Sequence, residues 1–234
     1  MEKATRVLLV RHGETIWNKE GRLQGHLDSD LTARGTAQAS SVAARLKSYG
    51  FDALYASDLG RAHRTAQEIA AATGFRIIPE PRLRERNLGI FQGLTEAEIR
   101  DRYPAEWNLF RSMEPDYRIP GGESSRDRIV RTRSLLDEVA VRHRGGTVLF
   151  VTHGGILDGI FRLVTGLPLE LPRQFKIWNA GINIISRVSL GSQDAADTGP
   201  LSSGGPASAP ADGWMIELWG DTGTLAAGDA LDDN

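Results

Sequence analysis

The chain has 234 residues, 40% hydrophobic and 25% charged, with a formal net charge of -2, the composition of a soluble globular protein long enough for one large or two small domains. So small a net charge supplies no field toward nucleic acid or a membrane surface, although arginines outnumber lysines and local basic pockets are expected. There is no cysteine, which excludes disulfides, iron–sulfur clusters, thiolate zinc sites and a cysteine nucleophile.

The first apolar run, Val7-Leu8-Leu9-Val10, is too short for a signal peptide or a bilayer span, so a cytoplasmic protein is expected. Four consecutive branched residues read as a strand buried on both faces, ended by the charge of Arg11. Residues 17–30 are polar and punctuated by Gly21 and Gly25, which predicts a loop. Thr32 is placed to cap an alanine-rich helix running to about Lys47 and stopped near Gly50. Ala53 to Ala56 is a short buried strand, and Ser57 or Asp58 caps the next helix, whose stripe is Leu59, Ala62, Ala66, Ile69 and Ala70. Gly74 closes that helix. Arg76-Ile77-Ile78 is a third strand, followed by a proline-bracketed loop, Pro79 to Gly93, that carries Glu85.

Thr95-Glu96-Ala97-Glu98 is a capping box, and its helix is interrupted at Pro104. Ile99, Tyr103, Trp107 and Phe110 recur at helical spacing; such a stripe is usually core, and its position makes residues 94–120 a candidate lid. Gly121-Gly122-Glu123-Ser124 turns into a long amphipathic helix ending at Gly145-Gly146. Thr147 to Thr152 is a buried strand that delivers His153-Gly154-Gly155, with a helix at once behind it. Strands recur at Gly181 to Ser189 and Gly213 to Trp219. The tract 190–212 has no apolar periodicity and is expected to be a disordered insertion, and 221–234 a flexible acidic tail. Alternation of strand and helix predicts one α/β domain over residues 1–220, three-layered and doubly wound, with a mostly parallel central sheet and helices on both faces.

Two strand ends then carry the same device, Arg11-His12-Gly13 and Thr152-His153-Gly154-Gly155. Parallel sheets bind ligands beyond the carboxyl ends of their strands, and the second device opens a helix whose first amides favour an anion. A third junction, Ser57-Asp58-Leu59-Gly60-Arg61, puts Arg61 in a first helical turn. If these ends are adjacent, two histidines and two arginines converge on a pocket suited to a phosphoryl dianion.

In family order and over about Val7 to Trp219, the chain resembles the histidine phosphatase superfamily, the phosphoglycerate-mutase-like group. The matching residues are Arg11-His12-Gly13-Glu14-Thr15 with Trp17-Asn18, then Ser57-Asp58-Leu59 with Arg61-Ala62 and Thr65-Ala66. Leu83, Glu85, Gly89 and Gly93 follow, then Gly121-Gly122-Glu123-Ser124 and Val151-Thr152-His153-Gly154-Gly155. The resemblance implies that His12 is a nucleophile forming a phosphohistidine. Arg11, Arg61 and His153 would hold the equatorial oxygens, with Gly154 among the residues at the substrate. Glu85 would protonate the leaving oxygen and then activate water, so it must start protonated. Asn18 would assist phosphate binding, and Gln24 and Gly25 lie in the loop that touches substrate. His12 must be neutral to attack, which a reference pKa of ~6.5 permits. No metal or other cofactor is implied.

Duller readings stand beside these. Arg61 could be an ordinary helix arginine, with Arg64 one turn on in its place, and Glu85 could sit in a solvated cluster with Arg82, Arg84 and Arg86. Glu14 reads as structural, and His26, His63 and His143 as surface residues. A metal site drawing on His12, Glu14, His26, Asp28 and His153 is opposed by the cation beside it, and a non-catalytic phosphate binder by the full set of site residues. The segment Gly93 to Gly121 is shorter than the mutase cover, Leu23-Gln24-Gly25 is more like the phosphatase branch, and Glu85-Arg86-Asn87-Leu88-Gly89 departs from the mutase pattern. A metal-independent phosphomonoesterase acting on a small phosphorylated metabolite is therefore expected, as a monomer or homodimer, with no nucleic-acid or membrane partner. The runner-up is a mutase primed by 2,3-bisphosphoglycerate.

Overall fold

The computed structural model describes residues 3–187 and 213–223. Six strands form one sheet: β1 (Thr5–Arg11), β2 (Ala53–Ala56), β3 (Ile77–Pro79), β4 (Thr147–Thr152), β5 (Ile182–Arg187) and β6 (Trp214–Asp221). Their order is β3-β2-β4-β1-β5-β6. The first four run parallel, and β5 and β6 add antiparallel neighbours at one side. The expected mostly parallel, doubly wound α/β sheet is what the chain forms.

The four-residue apolar run of β1 splits by strand alternation. Val7 and Leu9 join one core with α6 (Ser125–Arg142) and α7 (Gly154–Thr165), while Leu8 and Val10 join another with α2 (Ala33–Leu46) and α3 (Gly60–Thr73). All four side chains are fully buried, contributing about 1.5–3 kcal/mol each from lost apolar exposure. That is why no polar residue interrupts the run.

The stripe after the Glu85 loop makes a third cluster. Here α4 (Glu96–Arg102), with the expected Thr95–Glu98 capping box, meets α5 (Pro104–Arg111) at Pro104. Ile99 and Trp107 pack with Phe91 and Ile119, and Leu23 and Leu88 lean on them from the rim of a cleft.

Three local expectations change. Residues 16–20 form a short helix, α1 (Ile16–Glu20), inside the stretch read as loop. Five residues carry no periodicity, and its signal is the Thr15–Asn18 capping box with Gly21 in the left-handed region at φ 66°. Neither Ser57 nor Asp58 caps α3. Ser57 Oγ is engaged by His153 and Asp58 by Arg84, so the cap comes from Asp28, whose carboxylate accepts from Gly60 N at 2.5 Å and Arg61 N at 3.2 Å. Asp221, expected to open a flexible tail, is instead the last residue of β6, and Arg45 Nη2 bonds its carboxylate at 2.5 Å. The tract 190–212 and residues 224–234 lie outside the described residues. Among the described residues no helix is long and apolar enough to cross a membrane.

Candidate active site

Because β1 and β4 pair in parallel with Arg11 opposite Thr152, the residues that follow emerge side by side. His12 N donates to Thr152 O at 2.9 Å, and the rings of His12 and His153 lie 5.2 Å apart between centroids. Both imidazoles are almost wholly buried, as are the guanidiniums of Arg11 and Arg61.

The hydrogen bonds assign the working tautomer of His12. Its Nδ1 lies 2.8 Å from the carbonyl oxygen of Gly13, which can only accept, so Nδ1 carries the proton. Nε2 is left with its lone pair, and Arg61 Nε donates to it at 3.3 Å. The loop has no room to relax: a Cβ on Gly13 would meet Gly35 O at 2.3 Å, and one on Gly35 would meet Glu14 O at 1.9 Å. The N-terminus of α2 thus presses directly on the histidine turn. Arg11 Nη1 donates to Ile177 O at 2.8 Å, and Asn179 Nδ2 to His12 O at 2.8 Å, bracing the turn from the other side. His153 Nε2 meets Ser57 Oγ at 2.8 Å, while its buried Nδ1 has no hydrogen-bond partner among the described residues.

Arg61 is fixed by a fork of acceptors in the loop before α2: Gly25 O at 2.8 Å, Leu27 O at 2.8 Å and Asp28 Oδ1 at 2.9 Å. This disposes of the reading of Arg61 as a free helix arginine.

Burial, then the charges of Arg61 and Arg11, hold the His12 pKa well below 6.5 against a smaller lift from the Gly13 bond. Burial, Arg61, His12 and Arg11 do the same to His153. Both rings are therefore neutral at pH 7. The consequence for stability has a definite sign. The unfolded histidines bind protons below ~6.5 and the folded ones do not, so stability falls as pH drops through that value. Two such groups allow a slope of up to about 2.7 kcal/mol per pH unit. Urea midpoints measured from pH 8 to pH 5 should decline below pH 6.5, and His153→Phe should flatten the decline; a constant midpoint across that window would contradict it.

Glu85 hangs from the loop between two short 3-10 turns, Pro81–Leu83 and Gly89–Phe91. Its Oε2 accepts from Gly155 N at 2.8 Å and its Oε1 from Arg86 N at 2.7 Å. A Cβ on Gly155 would stand 2.1 Å from Oε1, so glycine is what lets this carboxylate reach the start of α7. The neighbouring arginines do not gather around it. Arg82 pairs with Glu80 and Glu138, and Arg84 with Asp58. Arg86 turns inward to Glu123 O, Ser125 and Tyr117 O, its pKa pulled down to about 10 by burial and by Arg128.

Arg11, His12, Asn18, Gln24, Gly25, Arg61, Glu85 and Gly154, all the residues expected to act on or bind substrate except His153, line one cleft of about 340 Å³, and His153 lies against His12. Gln24 is 7% exposed there, and its Oε1 has no hydrogen-bond partner among the described residues. Asn18 lines the cleft too, though its Oδ1 also closes the α1 capping box. Sequence reasoning gave no place at the cleft to Trp17, Gly21, Arg22, Leu23 and Leu88, and did not see the tie between Asp28 and Arg61. All three histidines read as surface residues, His26, His63 and His143, are half-buried. His26 is half-buried with Nε2 2.9 Å from Glu85 O, and His143 is half-buried against the Tyr55 hydroxyl at 2.9 Å.

The metal reading fails on the donors' own bonds. Glu14 accepts from Thr32 Oγ1 at 2.6 Å and Asp28 serves α3 and Arg61, and among the described residues no group of acids and histidines is spaced to hold an ion. What the arrangement offers instead is a neutral imidazole nitrogen facing two cations, with a carboxylate on the opposite wall. Groups so arranged are chemically suited to hold a phosphoryl group and to attack it.

Comparison with known proteins agrees in kind. A family model described as the histidine phosphatase superfamily (branch 1) matches residues 7–192. A metal-independent phosphoserine phosphatase of Arabidopsis thaliana is 40% identical over 187 residues, 78% of this chain and 76% of the relative. A probable phosphoglycerate mutase, GpmB, of Enterobacter is 37% identical over 227 residues, 97% of each chain. The solved mycobacterial glucosyl-3-phosphoglycerate phosphatase superposes with a TM-score of 0.76 at 29% identity, covering 94% of this chain and 100% of that one.

Proposed function

The chain belongs to the histidine phosphatase superfamily, and from that premise we propose that it hydrolyses a small phosphomonoester without a metal, carrying the phosphoryl group on His12 Nε2. The observation that carries this reading is the tautomer: Nδ1–H is committed to Gly13 O, and the Nε2 lone pair opens onto Arg61 inside the cleft.

In the first half-reaction Nε2 attacks phosphorus, the bond to the leaving oxygen breaks, and Glu85 delivers its proton to that oxygen. Positive charge forming on the imidazole strengthens the bond from Nδ1–H to Gly13 O. Arg11, Arg61 and His153 stabilise the charge on the equatorial oxygens, the work a metal does in other phosphoryl transfers. In the second half-reaction Glu85 takes a proton from water, the water oxygen attacks phosphorus, and the N–P bond breaks to restore neutral His12. Asn18, Gln24, Gly25 and Gly154 line the space the ester occupies.

The relative named as a metal-independent phosphatase and the neighbour named as a phosphatase support hydrolysis. The full-length match to a probable phosphoglycerate mutase favours a second reading, phosphoryl return to substrate primed by 2,3-bisphosphoglycerate. Incubation with 3-phosphoglycerate, with and without that bisphosphate, separates them when inorganic phosphate and 2-phosphoglycerate are both followed. A hydrolase releases phosphate from a panel of phosphomonoesters, is indifferent to a chelator and needs no primer. Primer-dependent isomerisation without phosphate release would replace hydrolysis by mutase activity.

A further inference from the structure

We propose that His26 is a positioning residue for Glu85, tying the loop that holds the phosphate-binding arginine to the loop that holds the proton donor. The inference rests on the proposed role of Glu85 and adds a residue to it.

The loop from Gln24 to Asp28 has two faces of work. Its carbonyls at Gly25 and Leu27 and the Asp28 carboxylate hold Arg61. From the same five residues His26 reaches the loop that carries Glu85 twice. Its ring Nε2 lies 2.9 Å from Glu85 O, and its backbone N donates to Gln92 Oε1 at 2.6 Å. A carbonyl oxygen only accepts, so Nε2 is the protonated nitrogen. The Glu85 carbonyl takes a second donor, Arg131 Nη2 at 2.9 Å, and Arg131 also holds Arg82 O at 2.6 Å and the Glu123 carboxylate. Arg131 therefore anchors the Glu85 loop to α6, while His26 anchors it to the arginine-binding loop.

The geometry of residue 85 is worth fixing. Its carboxylate hangs between two backbone amides, Gly155 N and Arg86 N, and a small rotation of the peptide at Glu85 misaligns both. Proton delivery to a leaving oxygen falls steeply with sub-ångström misplacement, and a positioned acid contributes ~10²–10⁴-fold. His26 is half-buried, and its two bonds run to the Glu85 carbonyl and the Gln92 side chain.

Leaving-group dependence provides the test. For wild type, His26→Ala, His26→Gln and Glu85→Gln, kcat/KM is measured with glycerol 2-phosphate, whose alkoxide needs a proton to leave, and with p-nitrophenyl phosphate, whose phenolate does not. His26→Ala is expected to lower kcat/KM about 10- to 30-fold for the alkyl ester and under ~3-fold for the aryl ester. His26→Gln, which keeps an N–H donor, should recover most of the loss. Glu85→Gln should show the same selectivity more steeply. A steep Glu85→Gln with a His26→Ala that is flat, or equally lowered for both esters, would overturn the positioning role alone. Equal losses for both esters in Glu85→Gln would instead remove Glu85 as the proton donor, and the inference with it.

Discussion

His12→Ala is expected to lower kcat/KM by ~10⁴-fold or more, the scale on which removal of a covalent nucleophile is felt. The reason is local. His12 Nε2, the proposed nucleophile, has its proton already elsewhere, on Nδ1 and bonded to Gly13 O. His153 is not placed to substitute, because it does not line the cleft and lies against His12 with its Nε2 engaged by Ser57 Oγ. The loss should be chemical rather than structural. His12 follows the last residue of β1, and β1 keeps its register through backbone bonds that the substitution leaves alone. Inorganic phosphate should therefore still bind, held by Arg11, Arg61 and His153. The direct readout is label from a ³²P-phosphomonoester, quenched during turnover. It should appear on wild-type protein as an acid-labile, base-stable adduct and be absent from the variant. Residual activity within tenfold of wild type, or a labelled His12→Ala chain, would show that phosphorus is taken elsewhere.

How much of this could be read from the chain depends on what kind of interaction writes each feature. Runs and periods are written locally. Val7 to Val10 and Val148 to Val151 have no polar residue because both faces of their strands are covered, and that placed His12 and His153 at strand ends, whereas the pairing of β1 with β4 that makes those ends adjacent leaves no local trace. The capping box at Thr95 is likewise carried by residues three apart, as is the one at Ser124, where the sequence reads only as a turn into the helix. Pairwise tertiary contacts leave no such trace. The cap of α3 comes from Asp28, 32 residues before Gly60, and nothing in the polar stretch around it distinguishes that acid from its neighbours. Ser57 looked like the cap because serines before helices usually are, but its hydroxyl meets His153, 96 residues away. His26 looked like a surface residue for the same reason: its partner is a backbone carbonyl, a group every residue has. The aromatic stripe from Ile99 to Phe110 was legible as core, yet not that its cluster would support Leu23 and Leu88 at the cleft rim. The family resemblance supplied the roles of single residues, and the fold supplied how each is held.

Arg61→Met is the second large effect, with kcat/KM expected to fall ~10²–10³-fold, the range for losing one preorganised donor at developing charge. Two further consequences separate this from simple loss of a cation. The fork of Arg61 satisfies Gly25 O and Leu27 O, and a methionine leaves those carbonyls without donors, at about 1–3 kcal/mol for each that stays buried. Arg61→Lys should recover little, since one ammonium cannot reach three acceptors set in a plane and also face His12. The second consequence is a shift with a sign. Burial is the largest cause holding the His12 pKa down, and Arg61 is the next. Removing the cation lets the imidazole protonate at higher pH, and a protonated Nε2 has no lone pair with which to attack. The acid limb of kcat/KM should therefore move up in pH in Arg61→Met relative to wild type, while Arg64→Met, one turn away on an exposed position, should leave both the rate and the limb in place. A pH profile of the Arg61 variant superimposable on wild type after scaling would mean that its charge does not act on His12, whatever the size of the rate loss.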